Sequence, residues 1–420
     1  MKNNRILIFH FTALVLFVIY FAAAGYSGIL TYRSIIRRIV RYQFWESWVN
    51  PRGLNDQLSD YVLYNIPNRD TLIRNIYSYL MLAQDKKESR NFTVIKDDAG
   101  YLHQGDFYQL PNSAIRYFSL RVRALSNTFK NNSYHKGAFL ALAGGNKLNA
   151  GSTPIYTGYP VNYMADVNLD SLLINLFQYG VETFDLRNVF KNSTMNYEEI
   201  YYKTDRGWSP MAALEAAGAI AARVKQKFGV SMDPPGEPAG FFRDANNYQK
   251  YQYYNAYQGA YSRTVGRPFG GDEDFIIPLP LFKTSFTVYD TPYSSMPIRE
   301  GDFSDVLIDS DYLNANSRNL DPVSIFLYDE NGQYSYRRIV NNSNPKGPNI
   351  LFIGGMDFVP TAIYLSLMCR ELTFISVESP VYNRLIDDLI AEPDSDCTIF
   401  GIEPDGINDS LFPFFKGSAY

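Results

Sequence analysis

The chain has 420 residues, 46% hydrophobic and 20% charged, which is globular composition with room for two or three ordinary domains or one large one. A net charge of −4 supplies no basic field for a polyanion, so nucleic-acid binding is not expected. Two cysteines and three scattered histidines exclude a disulfide scaffold and a four-cysteine cluster, and they argue against a histidine-rich metal site. Neither a metal nor a cofactor is expected. The 34 tyrosines favour stacking and hydrogen-bonding surfaces over proton-transfer chemistry.

In chain order, residues 1–31 come first. No residue from Ile6 to Leu30 carries a full charge, and this run exceeds the roughly 20 residues needed to cross a bilayer core. Lys2 and Arg5 precede it as in a signal sequence. An uncleaved anchor is preferred, although Ala22-Ala23-Ala24 also reads as a cleavage site. Arg33, Arg37, Arg38 and Arg41 follow the run, so by the positive-inside rule alone the body could sit in the cytoplasm. Residues 32–90 have helical spacing broken at Pro51 and Pro67, and are taken as a helical neck.

Residues 91–420 read as one α/β domain. Five apolar runs predict buried strands: Phe139–Ala143, Val181–Leu186, Ile350–Gly354, Leu372–Val377 and Cys397–Gly401. Helical stretches alternate with them at Asn168–Tyr179, Pro210–Phe228, Pro360–Arg370 and Val381–Ala391. This pattern implies a mostly parallel sheet with helices on both faces. Ser209 and Pro210 form a good cap and first turn, and the face Met211, Leu214, Ala217, Gly218, Ala221, Val224 is expected to pack on the sheet. Residues from about 232 to 349, rich in Pro, Gly, Asn and Tyr, read as an irregular insertion of loops and a few strands.

Several pieces together carry a resemblance. Tyr201-Tyr202-Lys203-Thr204-Asp205-Arg206-Gly207-Trp208-Ser209-Pro210 is similar to the Y-x-K-T-D-x-H-W-T motif of the DHHW family. These are SGNH-hydrolase-like proteins related to alginate and exopolysaccharide O-acetyltransferases. Residues 65–69 (NIPNR), 98–102 (DAGYL), the strand ending in Asp185, the segment 341–354 and Tyr364-Leu365-Ser366 resemble further family landmarks in the same order. The resemblance implies an SGNH-like, flavodoxin-like α/β fold and a triad of Asp, His and Ser, with the serine at a helix N-terminus.

Carried over residue by residue, the acid is present as Asp205, the His position holds Gly207, and the Ser position holds Met356 or, in the other register, Asp357. Neither residue at the serine position is a Ser, Thr or Cys, and losing nucleophile and base together removes the acyl-enzyme route. Asp357 is the one candidate substitute, against the plainer expectation that it caps its helix. His103 reads as a turn residue, and neither it nor His135 is expected to replace the base. Asp272-Glu273-Asp274 and Asp394/Asp396 read as solvated acidic turns rather than cation sites, and Cys369 and Cys397 as a disulfide or two buried thiols.

Tyr253, Tyr254 and Tyr257 lie in a tyrosine- and amide-rich segment that suits a glycan groove, and Trp208 and Lys147 are the other glycan-binding candidates. The resemblance implies a membrane-anchored body outside the cytoplasm, a cell-envelope polysaccharide as ligand, and a multi-pass membrane acyltransferase as partner. A catalytically inactive binding or scaffold protein is the preferred expectation; an active O-acetyltransferase or acetylesterase with a rearranged site is the alternative.

Overall fold

The five apolar runs expected to be strands lie side by side in one sheet of the computed structural model. That structure describes residues 69–89, 93–131, 138–145, 147, 162–234, 237–291, 295–315, 320, 325–326, 336–377, 395–404 and 406–407. The apolar run 6–30, most of the neck, His135, Asp394 and the expected helix Val381–Ala391 lie outside them. Among the described residues no helix is long and apolar enough to cross a membrane. The chain divides into two compact units, 1–76 and 77–420; of the first, the described part is 69–76, the opening of helix α1 (Arg69–Ala83).

The strands used below are β1 (Val94–Lys96), β2 (Leu102–Gln104), β3 (Ala138–Ala143), β4 (Glu182–Asp185), β5 (Tyr248–Tyr257), β6 (Glu273–Pro280), β7 (Phe286–Tyr289), β8 (Arg299–Gly301), β9 (Tyr336–Asn341), β10 (Asn349–Gly354), β11 (Glu371–Ser376) and β12 (Cys397–Ile402). The central sheet runs β8-β7-β9-β11-β10-β12-β3-β4. Its half from β11 to β4 is wholly parallel, with Ile350 opposite Leu372 and Cys397, and Leu140 opposite Glu182. Its other half, β9, β7 and β8, is antiparallel and comes from the insertion. The strands of that segment extend the sheet and also form the antiparallel β5–β6 pair, with two short helices between its strands.

Every residue of β3, β10 and β12 is buried, because each face of the sheet is covered. Alternate residues divide between two cores, as the two-residue period of a strand requires. Leu140, Leu142, Ile350 and Phe352 face one core; Phe139, Ala141, Leu351 and Ile353 face the other. The second core is closed by helices α2 (Asn112–Asn131) and α3 (Ala165–Gln178) through Phe118, Val122, Leu169, Leu172 and Leu176. The first is closed by α5 (Pro210–Phe228) and α6 (Val359–Ser366); the short α4 (Leu186–Lys191) follows β4, with the Asp185 side chain accepting from Arg187 N.

Helix α5 begins and ends where its sequence dictates. The Ser209 hydroxyl accepts from Ala212 N at 3.2 Å, Pro210 occupies the first turn, and Gly229 ends the helix at φ 70°. Its buried face is wider than expected: Ala212, Ala213, Ala216 and Ile220 are also covered, while Met211 is only half-buried. The reason is a second layer, since α6 and β6 also pack against this helix. Truncating Ile220, fully buried on this helix, to Ala costs roughly 2–5 kcal/mol. At Gly218 a Cβ would lie 2.4 Å from Arg243 Cγ, so the arginine stem rests where only glycine leaves room.

Candidate functional site

The loop from Tyr201 to Trp208 enters α5 at the edge where the parallel strands end. Tyr201 and Trp208 form an isolated antiparallel bridge, and Ser209 N donates to Ile200 O at 2.7 Å, so the loop is pinched shut at its base. Two side chains of opposite charge, Lys147 buried and Glu273 half-buried, satisfy the polar backbone between. Lys147 Nζ donates to the carbonyls of Tyr202 (3.0 Å) and Lys203 (3.3 Å) and also to that of Asp205. Glu273 accepts from Lys203 N (2.7 Å), Thr204 N (2.8 Å) and the Thr204 hydroxyl. Burial pulls the Lys147 ammonium down to about 8 against the opposing charges of Glu273 and Asp205, and the same burial raises the Glu273 carboxyl. Glu273 is thus a half-buried loop clamp, not a solvated acidic turn. Its neighbours Asp272 and Asp274 pair with Arg267 and with Gln252 and Asn255 N.

Asp205 sits at the tip of this loop. One carboxylate oxygen accepts from Arg206 N at 2.7 Å and the other from the hydroxyl of Tyr257. Tyr257 is 1% exposed, its ring 4.4 Å from that of Tyr202, and burial first, then the Asp205 charge, pushes its phenol well above the usual value. At neutral pH the phenol is therefore protonated and donates. The carboxylate that would orient an imidazole in a working triad here anchors strand β5.

The opposite wall is the end of β10. After Gly354 the chain runs through Gly355 and the single turn Met356–Phe358 into α6. Asp357 does not cap that helix with its side chain, contrary to the plainer expectation; its carboxylate lies 3.0 Å from Arg206 Nε. Arg206 also reaches Glu403, with Nη2 3.4 Å from Oε2, and Glu403 Oε1 accepts from Asp357 N at 3.2 Å. A Cβ at Gly207 would stand 3.7 Å from Asp357 Oδ1, so the position lacking its histidine directly faces Asp357. A Cβ at Gly355 would fall 2.2 Å from Glu403 Oε1. The Glu403 carboxylate thus lies over the glycine and the backbone N–H at the mouth of the helix, where an acyl-transfer site of this kind holds its oxyanion. Met356 is half-buried against the core.

The structure brings together Asp205, Gly207, Met356 and Asp357. It does not bring the other candidates to an open surface as a set. Lys147 (3% exposed), Trp208 (4%) and Tyr257 are interior, and Trp208 spends its indole N–H on Thr361 at 3.1 Å. These three offer no face to a glycan. Tyr254 is 72% exposed on β5, Tyr253 is half-buried against the core, and Tyr251, also on that strand, is exposed. His103 is not in a turn: it is on β2, buried, with Nε2 2.9 Å from Asp97. Both cysteines are free and buried. Sequence reasoning missed Arg206 as a bridge, Glu273 as a clamp and Glu403 altogether; the only signal for Glu403 was an acid directly after an apolar strand.

The family model described as an SGNH hydrolase-like domain of acetyltransferase AlgX matches residues 156–242, the stretch that holds Asp205, Gly207 and α5. Over those residues the chain is similar to SGNH hydrolase-like, acetyltransferase-related proteins. Among solved structures it is similar to PatB1 of Bacillus cereus, with 17% identity and a TM-score of 0.56 over 76% of this chain and 99% of that one. It is also similar to a DHHW family protein from Eubacterium siraeum, with 16% identity and a TM-score of 0.51 over 76% and 93%. No curated protein matches it in sequence. At such identities the structural likeness establishes the SGNH-like fold, and chemistry has to be argued from the site itself.

Proposed function

We propose that this protein is a catalytically inactive member of its group: a membrane-anchored, extracytoplasmic glycan-binding or scaffold protein in cell-envelope or exopolysaccharide O-acetylation. The observation that carries it is the Arg206 bridge. Where acyl transfer needs a nucleophile beside a base, this chain has Met356 and Gly207, and one arginine ties Asp357 to Glu403 across the gap. A thioether has no proton to give up, and glycine has no side chain. Asp357 is held by a guanidinium at 3.0 Å, which stabilises its charge and weakens it as a nucleophile or base. Asp205 is engaged by Tyr257 rather than left for an imidazole.

Support for a binding role comes from β5. Tyr251 and Tyr254 are exposed on this strand with the amides of Gln249 and Gln252, of which Gln249 accepts from the Tyr251 hydroxyl at 3.1 Å and Gln252 donates to Asp274 at 2.7 Å. Aromatic rings and amides on an exposed strand suit sugar rings and hydroxyls. A multi-pass acyltransferase would supply the acyl group that this chain cannot transfer. The test is retention of the full chain on cell-envelope polysaccharide. Replacing Tyr251 and Tyr254 with Ala should abolish retention at unchanged stability; equal retention by variant and parent would remove β5 from the role.

A further inference from the structure

The outer surface of α2 and α3 carries a charge and apolar pattern that the Arg206 site does not use. Helix α2 has four cations, Arg116, Arg121, Arg123 and Lys130, and no acid, in a chain of net charge −4. Arg116, Arg123 and Lys130 recur every seven residues, close to two helical turns, so they form one exposed row along the helix. None of these three has a carboxylate partner among the described residues. Arg121 lies over the Tyr117 ring, 4.8 Å from its centroid.

Large apolar side chains stand beside that row. On α2, Leu120 is 41% and Tyr117 44% exposed; on α3, Ile174 is 59% and Phe177 77% exposed. The two helices pack on each other and close the same core, so these residues share one side of the body. Their C-terminal ends adjoin. Arg123 lies over the Tyr179 ring, 5.3 Å from its centroid, and Lys130 Nζ donates to Gly180 O at 3.2 Å, both just past Phe177. The acids nearby, Asp166 and Asp170 of α3 with Asp185, converge on the Arg187 guanidinium.

We propose that this face rests on an anionic bilayer, with Leu120, Ile174 and Phe177 at the acyl boundary and Arg116, Arg123 and Lys130 on lipid phosphates. An interfacial helix needs large apolar side chains flanked by long cationic ones: the first enter the headgroup layer and the second reach back to the phosphates. The apolar side chains protrude, Phe177 most of all, and fluid lipid closes round such a side chain where a folded partner must offer it a matching socket. The contact goes beyond the membrane anchor proposed above. It rests on that anchor only to hold the body near the bilayer, where each cation gains from surface charge within a Debye length. It also turns the opposite face of the sheet, where β6 packs on α5, away from the membrane.

The probe is an environment-sensitive dye on Asn127→Cys, an exposed position between Arg123 and Lys130, attached by a maleimide that the two buried native thiols do not meet. The full chain is reconstituted into vesicles of phosphatidylcholine alone or of equal phosphatidylcholine and phosphatidylglycerol. Emission should be about twofold or more higher in the anionic vesicles than in the neutral ones, and a nitroxide lipid should quench it there. The Arg116→Glu/Arg123→Glu/Lys130→Glu variant should return emission to the neutral level, and Ile174→Ser/Phe177→Ser should remove the quenching. All five positions are exposed, so urea midpoints should match the parent. Equal emission in the two vesicles, or emission indifferent to the charge variant, overturns the proposal. Crosslinking of position 127 to a protein in native membranes, with no response to lipid, also overturns it and assigns the face to a protein partner. Carbonate extraction reads the anchor separately: a chain stripped from the vesicles refutes the anchor, and flotation with anionic but not neutral vesicles then decides the face.

Discussion

Tyr257→Phe removes one oxygen from the centre of the site and leaves the ring. The ring stays packed, 4.4 Å from Tyr202 and 5.9 Å from Phe275, so the change isolates the bond to Asp205. A hydrogen bond to an ionised group contributes roughly 1.5–3 kcal/mol, and the partly exposed carboxylate can recover some of that from water, so a loss of about 2 kcal/mol is expected. Asp205→Asn tests the same bond from the other side. In urea unfolding followed by tryptophan fluorescence, the double variant should be more stable than the sum of the single losses predicts, with a coupling of about 1 kcal/mol or more. Tyr257→Phe within about 0.5 kcal/mol of the parent, with additive losses, would refute the anchoring role of Asp205.

Three further outcomes follow from the buried polar groups and from the proposed membrane anchor. Burial holds His103 below its ordinary 6.5 against the pull of Asp97, so the folded chain keeps it neutral while the unfolded chain takes up the proton; stability should be full above 6.5 and decline as pH falls toward the lower folded value. The bonds from His103 and Tyr101 outweigh burial at Asp97 and hold its carboxyl below 3.8, so its contribution disappears only at lower pH still; urea midpoints for His103→Gln that decline in parallel with the parent would exclude the histidine as the source. Burial pushes the thiols of Cys369 and Cys397 upward, so a maleimide should label neither in the native chain and both in urea, whereas rapid native labelling would contradict their placement. Protease added to intact cells should digest residues beyond 45, and protection until lysis would place the body in the cytoplasm.

The parallel half of the sheet was legible because strands covered on both faces must be apolar throughout, as FLALA and ILFIG are. The antiparallel half was not: β8 is three residues, Arg-Glu-Gly, at an edge, and β7 and β9 lie within Pro- and Asn-rich sequence whose pattern alone does not reveal them. The positions of Asp205, Gly207, Met356 and Asp357 were legible because a short motif and a strand end mark them locally. Glu273 and Glu403 act on residues 70 and 46 positions away in sequence, which no local pattern encodes. The tyrosines failed as a group for a geometric reason. Strand alternation sends Tyr254 to solvent while Tyr253 and Tyr257, an even number of positions apart, turn toward the core, so adjacent tyrosines of one cluster do not share a surface.

Acyl turnover at the Arg206 bridge is the most direct measurement of whether the missing nucleophile and base have been replaced. The purified full chain, incubated with acetylated chromogenic esters and with acetylated envelope polysaccharide, should release acetate no faster than buffer and should take up no serine-directed fluorophosphonate. Turnover above buffer that disappears in Asp357→Asn would contradict the inactive assignment and make Asp357 the working carboxylate.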